Sequence, residues 1–272
     1  MVAVDKLFAG SVPETYDRFL VPLIFEPYAR DLAARLAKLE PQDVLEIAAG
    51  TGVLTRAMVS RLAASTRIVA TDLNQPMLDR AAARQPPDRR IMWRQADALA
   101  LPFEDESFDV VACQFGAMLF PDRVQGYKEA RRVLKPGGHF LFNVWDRLGD
   151  NVFADVVTEA LATLFPQDPP RFLARTPHGY HDVEKIRKEL TAAGFASISI
   201  ETLDETSRAA SAGDVAVAYC QGTPLRNEIE ARDAARLGEA TQAAAEALAR
   251  RFGAGPIEGR IRAHVATAVR PR

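Results

Sequence analysis

The sequence predicts an α/β fold built on a parallel sheet, and three observations carry that prediction. Short apolar runs, DVLEIA, RIVATD, RIMWRQ, FDVVACQF and HFLFNVW, recur between stretches of helical character. Each run is closed by polar or Gly/Pro punctuation, the alternation expected of parallel strands joined by crossover helices. A glycine turn, AAGTG, follows the first run directly and opens the helical VLTRAMVSRLA, which places it at a strand-to-helix junction. With 272 residues, 48% of them hydrophobic and 26% charged, the chain has enough apolar material for a sizeable core.

Taken in order, residues 1–40 read as an N-terminal helical arm, in which FEPYARDLAARLAKL places Tyr28, Leu32, Leu36 and Leu39 at helical spacing. Residues 41–147 hold the alternating core. Residues 148–180 read as an inserted cap: one amphipathic piece, DVVTEALATLF, then the Pro-rich FPQDPPRFLARTPHGY. Residues 181–272 return to the core. HDVEKIRKELTAAGF is a helix with Asp182 as N-cap and Gly194 as stop, leading into the alternating ASISIETL. Residues 213–253 form an Ala-rich helical insertion, and RIRAHVATAV is a last strand.

Composition narrows the function. A formal net charge of −2 and a sequence pI near 6.1 supply no general basic field for nucleic acid. The two cysteines, Cys113 and Cys220, lie far apart without ligand spacing, so neither a disulfide framework nor a metal site is expected. The opening MVAVDKLFAG lacks the charged start and apolar stretch of a signal peptide, and no apolar run reaches a membrane span. A cytoplasmic protein, monomer or homodimer, is the expectation.

The glycine turn predicts a nucleoside. Gly50 and Gly52 let backbone approach a ligand closely, and Asp72 ends the second strand about twenty residues on, where a carboxylate accepts ribose hydroxyls. A pyrophosphate turn wants a third small residue three places beyond Gly52, and Thr55 stands there. Glu46, inside the first strand, is poorly suited to phosphates. These residues point to a cationic or zwitterionic nucleoside.

The blocks VLEIAAGTG, TDLNQPML, QADALALPFEDESFDVV and RRVLKPGGHFLF, in this order, resemble the class I S-adenosylmethionine-dependent methyltransferases. Within these they resemble the ubiquinone/menaquinone-biosynthesis-like (type 11) small-molecule group. The resemblance covers residues 43–145 strongly and departs from the family at Ala48, where a glycine is usual. It implies a Rossmann-like, mostly parallel seven-stranded sheet with an antiparallel final strand, helices on both faces and a helical lid. It implies S-adenosyl-L-methionine as cofactor and S-adenosyl-L-homocysteine as product. Glu46, Ala48, Ala49, Gly50, Thr51 and Gly52 would then floor the methionine part, and Asp72 would hold the ribose. Leu73 and Met77 would pack on the adenine, Asp97 would bind its amino group and the Ala98 amide a ring nitrogen. Gln114 and Phe115 would flank the methionine, and LKPGG would be a turn before the fifth strand.

The chemistry so implied is in-line displacement on an activated methyl by an O, N or C of a small, partly apolar acceptor, which needs positioning more than acid–base machinery. No triad is visible; Tyr180 and His181 are candidate catalytic groups, with His178 beside them a further candidate base. Tyr16, Phe19, Tyr28 and Tyr180 are candidates for the acceptor pocket. Two other readings stand beside this one, a nicotinamide-dependent oxidoreductase and a non-catalytic cofactor-binding protein.

Overall fold

The computed structural model describes residues 12–253 and 255–272. Residues 1–11, with the expectation of a missing leader and the first part of the arm, lie outside the described residues. Seven strands form one sheet in the order β3-β2-β1-β4-β5-β7-β6. They are β1 (Asp43–Glu46), β2 (Arg67–Asp72), β3 (Ile91–Gln95), β4 (Phe108–Gln114), β5 (Leu134–Trp145), β6 (Ala196–Ala209) and β7 (Ile257–Val269). The pairs β1–β2, β1–β4, β2–β3 and β4–β5 are parallel. Strand β7 runs against β5: Gly137 N–H bonds Arg270 O at one end, and Asp146 N–H bonds Arg262 O at the other.

The chain divides into two compact units. One comprises Glu26–Val144, Tyr180–Leu203 and Ala263–Arg272. Its β1 strand is buried at all four positions and β4 at nearly all, as expected of parallel strands covered on both faces. The helix Glu26–Ala37 lies in this unit. Leu32 and Leu36 are fully buried in a core cluster with Val44, Leu54, Met58, Ile68 and Val110, because their spacing aligns them on one helix face.

The other unit takes the described residues up to Phe25, with Trp145–Gly179 and Asp204–Arg262. It holds the helices Val152–Leu164, Phe172–Arg175, Ala212–Gln221, Leu225–Asp233 and Leu237–Phe252. Phe153 meets Phe252 edge-on at 5.1 Å between centroids, and a Cβ on Gly259 would come within 2.9 Å of the Phe153 ring. The segment Tyr16–Phe25 is π-helical with Pro22 inside it, and Ser207 Oγ donates to Leu23 O at 2.7 Å. A π-helix is rare and frequently found at functional sites.

Two sequence expectations change. LKPGG is not a turn before β5 but part of that strand, which begins at Leu134. The register against β4 jumps from Phe108↔Leu134 to Val110↔His139, and Gly137 absorbs the bulge at φ 80°. β6 runs fourteen residues, well beyond ASISIETL, because as an edge strand it continues through polar residues.

Candidate active site

The order β3-β2-β1-β4-β5 makes β1 the point where the chain switches direction across the sheet, and open α/β sheets bind ligands at the carboxyl ends of the strands there. The AAGTG turn leaves β1 at that point. It is held by Ile47 N–H to Ala112 O at 2.9 Å and Ala49 N–H to Thr71 O at 2.8 Å. Ala48, Gly50 and Gly52 take φ of 55°, 57° and 79°, so three of five successive residues are left-handed. Glycine adopts this without penalty, whereas alanine is disfavoured there by about 1 kcal/mol.

The Ala48 methyl has a further effect. A Cβ placed on Gly116 would lie 2.4 Å from Ala48 Cβ and 2.8 Å from Cys113 Sγ. Ala48→Gly is expected to raise stability by about 1 kcal/mol through relief of the left-handed strain. Gly116→Ala is expected to lower it by roughly 2–3 kcal/mol through overpacking, with part recovered in the double variant. Denaturant midpoints of the four proteins check this, and strict additivity would contradict it. Gly52 also answers to packing. A Cβ there would lie 3.1 Å from both Ala81 Cβ and Trp93 Cη2, so this glycine serves helix–sheet packing as well as any ligand.

Asp72 is buried, with Oδ2 accepting from Gly50 N–H at 2.8 Å and Oδ1 from Asn74 N–H at 2.8 Å. The carboxylate thus couples the glycine turn to the end of β2 and keeps lone pairs for two further donors. Burial raises its pKa, opposed by the Asn74 and Gly50 amides. Leu73, next along the chain, is 43% exposed, an apolar surface beside the carboxylate. Met77 is buried as an inward residue of the helix Gln75–Arg84. Asp97 is exposed and its Oδ1 accepts from Leu99 N–H at 2.9 Å; Ala98 is half-buried beside it. Gln114 and Phe115 are buried at the end of β4.

Glu46 is 1% exposed and accepts from Thr55 Oγ1 at 2.5 Å. Thr55, which in sequence marks only a missing glycine, is the hydrogen-bond partner of this acid. Burial pushes the Glu46 carboxyl up to about 8, with Thr55 and Arg56 opposing. Below the unfolded value of 4.5 both states are protonated. Between 4.5 and about 8 the unfolded chain loses its proton first, so stability falls as pH rises through that window. Glu46→Gln is expected to flatten this slope, removing on the order of 3–5 kcal/mol of pH dependence between pH 5 and 8. Urea unfolding at the two pH values measures it; an unchanged slope would mean that Glu46 ionises freely.

The residues proposed for acceptor binding fall in both units. Tyr16 and Phe19 are half-buried, with Tyr16 stacked on Phe25 at 5.2 Å and Arg18 lying 4.9 Å over Phe19. In the same unit Phe25 meets Trp145 at 5.9 Å and Trp145 meets His178 at 6.0 Å. Tyr28 is fully buried, edge-on to Phe115 at 5.4 Å. The Tyr180 hydroxyl donates to Glu189 at 2.5 Å and meets Tyr127 Oη at 3.0 Å, and its ring lies under Arg123 at 4.2 Å. Burial raises its pKa, opposite to what a base requires. His181 is half-buried one place before Asp182, whose side chain accepts from Glu184 and Lys185 N–H. Among the described residues no group of three or more His, Cys, Asp and Glu side chains forms a metal site, and no helix is long and apolar enough to cross a membrane.

The fit to a cationic nucleoside rests on this geometry. Thr51 Oγ1 is buried in the turn without a hydrogen-bond partner among the described residues, an orphan that a polar ligand group would satisfy. The left-handed turn, the buried Asp72 carboxylate and the exposed Leu73 lie together at the carboxyl ends of β1 and β2. Together with the sheet they define a class I methyltransferase fold.

The methyltransferase-domain family matches residues 45–142. Demethylmenaquinone methyltransferase of Clavibacter sepedonicus is 31% identical over 177 residues, 62% of this chain and 71% of the relative. The ubiquinone/menaquinone biosynthesis C-methyltransferase UbiE of Idiomarina loihiensis is 29% identical over 184 residues, 59% of this chain and 68% of the relative. Among solved structures, phosphoethanolamine N-methyltransferase 2 of Haemonchus contortus with S-adenosyl-L-methionine superposes at TM-score 0.63, 18% identical, over 100% of this chain and 61% of that one. The Bacillus subtilis YcgJ protein superposes at TM-score 0.58, 19% identical, over 90% and 99%. At these identities the structures show the shared fold. The chain belongs to the ubiquinone/menaquinone-biosynthesis-like group of S-adenosylmethionine-dependent methyltransferases, and S-adenosyl-L-methionine is its cofactor.

Proposed function

We propose that this methyltransferase alkylates a ring carbon of a reduced, quinone-type small molecule of the prenylated naphthoquinol class. The observation that carries the acceptor's shape is the run of rings Tyr16, Phe25, Trp145 and His178, successive centroids 5.2–6.0 Å apart. Phe25, Trp145 and His178 are buried and Tyr16 is half-buried at the end of the run, so an aromatic acceptor would meet this apolar cluster at Tyr16. The names of the relatives supply the quinone class and the carbon.

When bound, S-adenosylmethionine supplies a methyl already activated by the sulfonium charge. Asp72, oriented by the Gly50 amide, fixes the ribose on this reading, with the Thr51 hydroxyl meeting the methionine end and Leu73 and Met77 bordering the adenine. Asp97 and Ala98 border its edge, and Glu46 sits beneath. Held there, the cofactor would supply its methyl to the acceptor's ring carbon, with S-adenosylhomocysteine as the leaving product and the ring proton passing to solvent. Holding the two reactants in near-attack geometry, away from water, is the protein's main contribution.

The test is incubation with S-adenosylmethionine and 2-prenyl-1,4-naphthoquinol under reducing conditions, followed by mass spectrometry and NMR of the product. A methyl on the free ring carbon supports the reading. Methylation of oxygen, or transfer to phosphoethanolamine but not the quinol, overturns it.

A further inference from the structure

Phe115 leaves β4 at φ 52°, in the left-handed region where a bulky side chain is an outlier that surrounding contacts must hold. Its amide donates to Asn143 O at 3.1 Å, continuing the β4–β5 ladder, and also to Asn143 Oδ1 at 3.0 Å. Because a backbone N–H faces it, that side-chain atom is the oxygen of the amide. Asn143 is paired with Gln114 in the register of β4 and β5 and is fully buried. Its Nδ2 has no hydrogen-bond partner among the described residues. A buried donor left unmatched destabilises a fold, so stability alone does not account for an asparagine here.

We propose that Asn143 is a positioning residue for methyl transfer: its side-chain oxygen holds Phe115 in the left-handed conformation that shapes the methionine end of the cofactor site. Phe115 borders that end on the reading proposed above, and this inference rests on it. The same conformation turns the Phe115 ring edge-on to Tyr28 at 5.4 Å, with Tyr28 fixed by its hydroxyl to Leu203 O at 3.2 Å. It also sets up Gly116, where no side chain fits against Ala48 and Cys113. Without the side-chain bond the Phe115 amide keeps only the Asn143 backbone acceptor, and the left-handed conformation is held less tightly.

The experiment is a double-variant cycle read by calorimetric affinity for S-adenosylhomocysteine, with circular dichroism as the check on folding. Asn143→Leu is expected to weaken binding about tenfold, or 1.4 kcal/mol, while Asn143→Asp, which keeps an oxygen toward Phe115, stays within about threefold. In a Phe115→Gly background, where glycine holds the left-handed conformation unaided, Asn143→Leu is expected to cost less than about threefold. Equal losses in both backgrounds, or unchanged affinity in Asn143→Leu, would overturn the inference. Should Asn143→Leu not fold, Asn143→Ser is read in the same cycle by the same criteria. Asp72→Ala is run alongside. If it too leaves affinity unchanged, the placement of the whole cofactor site fails; if only the cycle is additive, Asn143 alone is misassigned.

Discussion

Gly50→Val is expected to abolish measurable binding of S-adenosylhomocysteine while the far-ultraviolet circular dichroism spectrum stays native. Gly50 sits at φ 57° in the middle of the turn, a region where a β-branched side chain is a genuine outlier. The backbone must then rotate, and the Gly50 amide leaves Asp72 Oδ2, which it meets at 2.8 Å. Two effects combine: the ligand's floor is displaced, and the carboxylate loses the donor that orients it. A loss of at least a thousandfold, about 4 kcal/mol, is expected by calorimetry. The elements of the core lie to either side of the turn, so a folded variant is expected. Tight binding by Gly50→Val would show that AAGTG is a structural turn only.

Asp72→Ala is expected to weaken the same ligand by about 2–4 kcal/mol, the worth of two charge-assisted hydrogen bonds, or roughly 30- to 1000-fold. The acid has protein donors on both oxygens, Gly50 N–H and Asn74 N–H, each at 2.8 Å, so truncation also loosens the turn. Asp72→Asn separates the contributions. It keeps an oxygen for one of these amides and removes the charge, and is expected to fall between wild type and alanine. Unchanged affinity in Asp72→Ala would place the ribose elsewhere.

How much of this was legible in the sequence depended on how local each feature was. RIVATD coincides residue for residue with β2, because an apolar run bounded by turn residues has one reading. HFLFNVW captured only the second half of β5; the first half passes through a bulge whose Pro136 and Gly137 carry turn signals although the backbone stays paired. The helix Glu26–Ala37 was legible as a helix but not as core, since periodicity shows which face is apolar and not what covers it. In the site, the glycines and Asp72 stood out through spacing alone. The partnership of Glu46 with Thr55 crosses a strand-to-helix turn, and Asn143 reaches Phe115 only through the β4–β5 register. Pairings of that kind are set by three-dimensional alignment, which composition and periodicity do not encode. Tyr180 shows the same limit: its aromatic character is visible in the sequence, its bonds to Tyr127 and Glu189 are not.

The buried Glu46 also changes how the molecule migrates in an electric field. The formal charge of −2 counts every carboxyl as ionised, but a group held at about 8 is mostly neutral at pH 7, which brings the folded protein to −2 + 1 = −1. Burial shifts Asp72 in the same direction. The native protein is therefore expected to focus above the sequence value of 6.1, and to drift toward the acidic end of the gel when urea releases the Glu46 carboxyl to water.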